Sequence, residues 1–112
     1  LNIPVIDTNT NEVQALNVSD IFYITRKDTD GKSVIKVKTE NNEYQMLSSK
    51  ELIKYLSEDG EFVRSDRGTY INPSKVKRLD STQMSVEFEN GKQTIVSRLG
   101  FKAIDVLLNK SK

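Results

Sequence analysis

The sequence predicts a single domain of mostly β class, its strands joined by short turns, with one helix in the middle and one at the end. Three observations carry that reading. Short runs of β-branched and aromatic residues recur along the chain, bounded by turn signals such as Asp30-Gly31 and Asn90-Gly91. Only two stretches, after Ser48 and after Leu99, change to helical spacing. The 112 residues suffice for one modest core, and no repeat or low-complexity linker divides them.

Taken in order, Ile3 to Ile6 contains Pro4 and suits an edge strand or a docked terminal arm. Residues 7–14 are polar and rich in Asn and Thr, which predicts a turn or loop. Val18 to Thr25 (VSDIFYIT) is the first convincing strand, and Asp30-Gly31 turns the chain into a return strand over residues 34–39. In that strand Val and Lys alternate from Ile35 onward, one face in and one out. Glu40-Asn41-Asn42 turns again, into a strand over Glu43–Leu47. Ser48 and Glu51 then form a capping box, Leu52, Ile53 and Leu56 share a helical face, and Gly60 stops the helix. Asn72-Pro73-Ser74 reads as an N-cap with Pro at the first helical position, opening a single turn rather than a full helix. Val76–Leu79, Met84–Phe88 and Gln93–Val96 are predicted strands, the last two joined by Asn90-Gly91, the strongest hairpin signal in the chain. Phe101, Ile104, Leu107 and Leu108 give the closing helix its apolar side.

Composition narrows the chemistry. Cysteine is absent, so disulfides and thiol chemistry are excluded, which suits a reducing, cytoplasmic setting. Histidine is absent too, which removes the usual general base and the commonest metal ligand together. No apolar run approaches the roughly 20 residues of a membrane span. No glycine-rich phosphate loop, nucleophile elbow or metal-ligand spacing is present. Asp28-Thr29-Asp30-Gly31 begins like a calcium loop, but Val37 stands where the final Glu belongs, so a hairpin turn is the reading. Glu87 and Glu89 fit a solvated strand face better than an acid–base pair. A non-enzymatic protein, with no cofactor, no metal and no small-molecule substrate, is therefore expected.

Charge says more in its distribution than in its total of +1. Residues 1–63 carry 7 basic and 11 acidic side chains, while residues 64–112 carry 10 and 5. Such asymmetry fits a polyanion-facing surface in the second half, or chance plus a basic tail at Lys110 and Lys112. The segment FVRSDRGTYINPSKV (62–76) sets Arg64, Asp66, Arg67 and Gly68 inside an otherwise strand-like run. Lys75, Lys77 and Arg78 follow, Arg98 opens the last helix, and Arg26, Lys27 and Lys32 surround the first hairpin turn. Arginine's planar fork suits guanine edges and phosphate oxygens, and lysine suits phosphates alone. Ordinary solubilising surface charge is the alternative.

Phe62-x-Arg64-x-x-Arg67 with Ile71-Asn72 resembles the central motif of the LytTR DNA-binding domain, F-x-R-x-H-R-S followed by a short apolar run and Asn. Asp20-Ile21-Phe22-Tyr23-Ile24 looks like that family's first strand, and Ile95-Val96-Ser97-Arg98 like its closing V-S-R. The three motifs stand in register across nearly the whole chain. The resemblance implies an elongated domain of stacked antiparallel β-sheets occupying residues 1–112, without a receiver domain. It implies that loops enter successive major grooves of duplex DNA, the central loop lying over the intervening minor groove, usually on paired direct repeats and as a homodimer on DNA. Carried over, Arg67 and Arg98 take base contacts and Arg64 supports the central loop. Lys27 or Lys32 must substitute for the first loop's histidine, with Lys32 the weaker base contact. Lys75, Lys77 and Lys102 are expected on phosphates. Asp66 stands in place of the motif's His, Gly68 and Thr69 in place of Ser and an aromatic, and Leu99 where many members carry a second arginine. A stand-alone regulator is favoured over an excised output domain, because Ile3 to Asp7 reads as a natural start.

Two functions follow. One is a sequence-specific, DNA-binding transcription regulator. The other is a LytTR-like protein-interaction module, a partner or inhibitor of a regulator, motivated by Asp66, Leu99 and the near-neutral net charge, for which an exposed sheet edge at Glu43–Leu47 could pair with another chain. A hydrolase working through Asp28 and Asp30 lacks any supporting constellation.

Overall fold

The computed structural model describes residues 2–46, 62–65 and 68–110. Strands β1 (Asn2–Asp7), β2 (Val13–Asn17), β3 (Tyr23–Thr29), β4 (Lys32–Lys38), β5 (Glu43–Met46), β6 (Val63–Arg64) and β7 (Thr69–Ile71) form one antiparallel sheet in the order β2-β1-β5-β4-β3-β7-β6. Strands β8 (Val76–Asp80), β9 (Ser85–Phe88) and β10 (Gln93–Ile95) form a second, ordered β10-β9-β8, and helix α1 (Arg98–Lys110) closes the chain. The mostly β class with antiparallel sheets and a C-terminal helix is as the sequence predicts. The predicted central helix after Ser48 lies outside the described residues.

Period-2 alternation divides the large sheet between two cores. Ile3, Val5, Leu16, Ile24, Ile35, Val37, Tyr44 and Met46 line one face. Cross-strand pairs such as Ile24↔Val37, Val37↔Tyr44 and Val5↔Met46 bring them together. On the opposite face Tyr23, Ile71 and Val63 meet Val76, Val86 and Phe88 of the small sheet and Ile104, Phe101 and Leu108 of α1. The rings of Tyr23 and Phe88 stack there with centroids 5.5 Å apart.

Asn72 ties the two sheets together. It is buried, and its side-chain amide donates to the Ile21 carbonyl at 2.8 Å. Its Oδ1 accepts from the Ser74 amide at 3.1 Å and the Ser74 hydroxyl at 2.7 Å, capping the predicted single turn, Pro73–Lys75. The carboxamide supplies donor and acceptor at once, which an ionised carboxylate of the same shape does not.

Several expectations are corrected. Residues 7–14 are not all loop, because Val13–Asn17 pairs along β1 from Asn2↔Asn17 to Ile6↔Val13. Four of the five β2 residues are exposed, so no alternation announces the strand. Asn11, at φ 59°, supplies the left-handed position that closes its turn. The first strand is not an edge. It lies between β2 and β5, and among the described residues β5 pairs with Val5 to Asp7 and not with Pro4. The predicted strand Val18–Thr25 splits, since Asn17 caps a 3-10 turn at Val18–Asp20 and β3 begins at Tyr23. Residues 43–46 are not an exposed edge, because β5 pairs on both sides, with β1 and β4. That arrangement removes the sheet edge offered as a docking place for the protein-interaction reading, whose other grounds were Asp66, Leu99 and the small net charge.

Both glycine turn signals mark hairpins, by different geometry. Asp30 and Gly31 have φ 53° and 77°, and Thr29 pairs with Lys32, giving the two-residue turn whose twist matches the strands. At Asn90-Gly91 only Gly91 is left-handed. The Gly91 amide bonds the Phe88 carbonyl and the Phe88 amide bonds that of Lys92, so the loop has three residues and a glycine bulge.

Candidate nucleic-acid interface

The interface is assembled where the β6–β7 loop, the start of α1 and the first hairpin meet. Ser97 caps α1, its hydroxyl accepting from the Gly100 amide at 3.1 Å. The Ser97 amide in turn donates to the hydroxyl of buried Ser65 at 2.9 Å. Gly100 lies flat on the same residue, since a Cβ there would stand 2.7 Å from the Ser65 Cα. On the other side of the loop, the Gly68 carbonyl accepts from the Arg26 amide at 2.6 Å. A Cβ on Gly68 would come within 2.4 Å of the Arg26 carbonyl oxygen. Gly68 and Gly100 are thus required by close approach of backbone, and together they fix both described ends of the loop. Asp66 and Arg67 themselves lie outside the described residues.

Register then decides which charges share a surface. Lys27 pairs with Val34 and Thr25 with Lys36, so Thr25 and Lys27 share one sheet face with Lys32, Val34, Lys36 and Lys38. This is the face of Tyr23 and Val63, on which α1 packs. Arg98 therefore begins its helix over β6 on the same face as Lys27 and Lys32. From β4 to β6 is three strand spacings, about 14 Å. Lys102, one turn after Arg98, is exposed beside it. Lys27, Lys32, Arg98 and Lys102 are all exposed, and no acidic side chain among the described residues forms an ion pair with them. The first turn of α1 carries Arg98 and no acid, against the helix dipole's preference and in favour of an arriving anion.

Other cations are arranged differently. Arg26 and Arg64 lie on the opposite face, since Arg26 pairs with Ile35 and Arg64 with Tyr70, both directed to the first core. Arg26 is also held by Asp28 at 3.3 Å. Lys75 sits 5.8 Å over the Phe22 ring, a cation–π contact just before β3. Lys77 is the extra residue of a β-bulge between Val76 and Arg78 on the small sheet. Lys27 is four residues, about 13 Å, further along β3 than Tyr23. The structure thus brings Lys27, Lys32, Arg98 and Lys102 together and leaves Lys75 and Lys77 apart.

Neighbouring Arg78 bonds Glu87 at 2.5 Å, and that hydrogen bond holds the Glu87 carboxyl below its ordinary range. Lys38 is paired with Glu43, which raises the lysine above its ordinary value chiefly through their hydrogen bond. Lys36 reaches the same Glu43 at 4.0 Å.

Sequence reasoning missed Ser65, Ser97 and Gly100 as positioning residues. Ser97 had a readable signal, a serine directly before a helical period. Ser65 and Gly100 had none, because each matters only through the other.

Among the described residues no group of three or more acidic side chains is arranged to hold a metal ion. No described helix is long and apolar enough to cross a membrane. A β scaffold that gathers unneutralised cations around an anchored loop has the electrostatic footprint of a nucleic-acid-binding domain. The comparisons make that specific: the family model of the LytTr DNA-binding domain matches residues 11–109, and the chain belongs to that family. DNA binding is accordingly its general function. A solved structure of a LytTr DNA-binding domain from Bacillus cereus is similar to this fold with a TM-score of 0.69. The match covers 96% of this chain and 97% of that one at 20% identity. Among curated proteins no sequence matched.

Proposed function

We propose that the chain is a sequence-specific transcription regulator that grips duplex DNA on the sheet face bearing Lys27 and Lys32, with Arg98 entering a groove from the start of α1. The observation that carries this is the anchored junction. Ser97 and Gly100 hold the start of α1 on Ser65, about 14 Å across the sheet from β4, a span comparable to a major groove. Arg98 reads a base, Lys27, Lys32 and Lys102 take phosphates, and the 65–68 loop bearing Arg67 faces the intervening minor groove. Arg64 supports that loop from the other face. Lys75 and Lys77 contribute at most long-range attraction unless the duplex continues past the small sheet. Paired direct repeats bound by two copies, cytoplasmic action, no enzymatic activity and service as a response-regulator output domain complete the reading.

The test is fluorescence anisotropy on a duplex selected from random sequence, at about 50 and 200 mM salt, a range in which phosphate contacts weaken binding steeply. Arg98→Ala or Arg67→Ala should each cost about 1–3 kcal/mol on the selected site and relax sequence preference at one position. Equal losses on selected and scrambled DNA would show that these arginines touch only the backbone. Salt-independent or absent binding would refute the interface altogether.

A further inference from the structure

Leu99 is 81% exposed, the most exposed of the large apolar side chains described, and Ile95 follows at 75%. The two flank Arg98 in the chain. An isolated surface leucine ordinarily means little. This one is different in its placement. It occupies the first turn of a helix whose cap and third residue are pinned to Ser65, so its position is fixed by backbone contacts. Gly100, Ile104 and Phe101 take the buried side of α1, which directs Leu99 outward, beside Lys102 and on the side of it away from Arg98. An apolar side chain held rigidly beside two cations of the same helix end suits a surface that carries an apolar spot next to anionic groups. In the major groove that spot is the 5-methyl group of thymine.

We propose that Leu99 reads a thymine methyl group at the base pair beside the one contacted by Arg98. This rests on the DNA-binding reading above and adds a specificity element that charge alone does not provide. Leu99 contributes contact and water exclusion, and Arg98 and Lys102 hold the phosphates and base edge around it.

The test replaces each thymine of the selected duplex in turn by deoxyuridine, which keeps base pairing and removes only the methyl group. Binding of the full chain and of Leu99→Ala is measured on every duplex. Alanine keeps helix propensity, and the position is exposed, so the variant folds; an unchanged melting temperature checks this. At one position the parent chain should lose about four-fold, the equivalent of one buried methyl at about 0.8 kcal/mol. Leu99→Ala should lose at least as much on the thymine duplex and be indifferent to deoxyuridine there. Val106→Ala, two turns along the same helix and 53% exposed, should leave the methyl effect intact. Equal methyl sensitivity in parent and Leu99→Ala overturns the proposal while leaving DNA binding standing. Unchanged DNA affinity in Leu99→Ala also overturns it. Failure of the parent chain to bind any duplex overturns the parent reading and this one together.

Discussion

The two ends of β3 differ in how far their positive charge is paired within the molecule. Near Tyr23 three cations have partners within the molecule: Lys38 with Glu43, Lys75 with the Phe22 ring, and Arg78 of the adjoining small sheet with Glu87, while Lys77 and Lys92 stay exposed. Toward the Asp30-Gly31 turn, on the face that α1 covers, Lys27, Lys32, Arg98 and Lys102 stand exposed without an acidic partner among the described residues. Composition is similar at the two ends, so the number of cations does not make an interface. What makes one is cations left unneutralised around a backbone junction stiff enough to aim them.

The junction is where the comparison breaks most readily. Gly68→Ala places a methyl group against the Arg26 carbonyl, and neither partner is a flexible side chain. It should destabilise the fold by about 1–3 kcal/mol or more, read as a fall in the midpoint of urea unfolding. Gly100→Ala should act similarly through Ser65 and also weaken DNA binding. Asn72→Asp comes next. It removes the donor to the Ile21 carbonyl and puts a carboxylate in a buried site, an expected loss of about 1–3 kcal/mol at neutral pH. DNA affinity, measured where the variant remains folded, should be unchanged.

Smaller effects sharpen the contrast. Ser65→Ala removes the acceptor for the Ser97 amide and should cost about 1 kcal/mol in stability. A measurable loss of DNA affinity should accompany it, whereas a surface Ser→Ala elsewhere gives none. Lys27→Ala and Lys32→Ala should each flatten the slope of log affinity against log salt by about 1, and Lys75→Ala should leave it unaltered. An equal change at Lys75 would erase the distinction between the two ends.

The smallest effect is pH dependence. Glu87 titrates below its ordinary range in the folded chain because Arg78 bonds its charged form. That stabilisation is present above the unfolded value of about 4.3 and is lost as pH falls through the folded one. Glu87→Gln should therefore flatten part of the acid limb of a stability–pH curve without touching DNA binding.

Local signals in the sequence were sufficient for much of this. The Asn72-Pro73-Ser74 turn, both hairpins, the Val/Lys alternation of β4 and the closing helix were legible because each depends on residues within a few positions of one another. Strand β2 was not, since its exposed VQALN becomes a strand only by pairing with β1. The edge assigned to Glu43–Leu47 failed for the same reason: strand order in a sheet is a long-range outcome, and β5 is enclosed by β1 and β4.

The chain alone determined which side chains are basic, where the turns fall, and the family motifs around Phe62, Arg64 and Ile71-Asn72. Tertiary structure decided which cations share a face. Lys27 and Arg26 are neighbours in sequence, yet the pleat sends one to the α1 face and the other toward Asp28 on the opposite face. Arg98 and Ser65 are more than thirty residues apart, and only a glycine at 100 and a serine at 65 let their backbones meet. Close packing between distant segments has no local signature, so the aim of the interface becomes visible only in the folded chain.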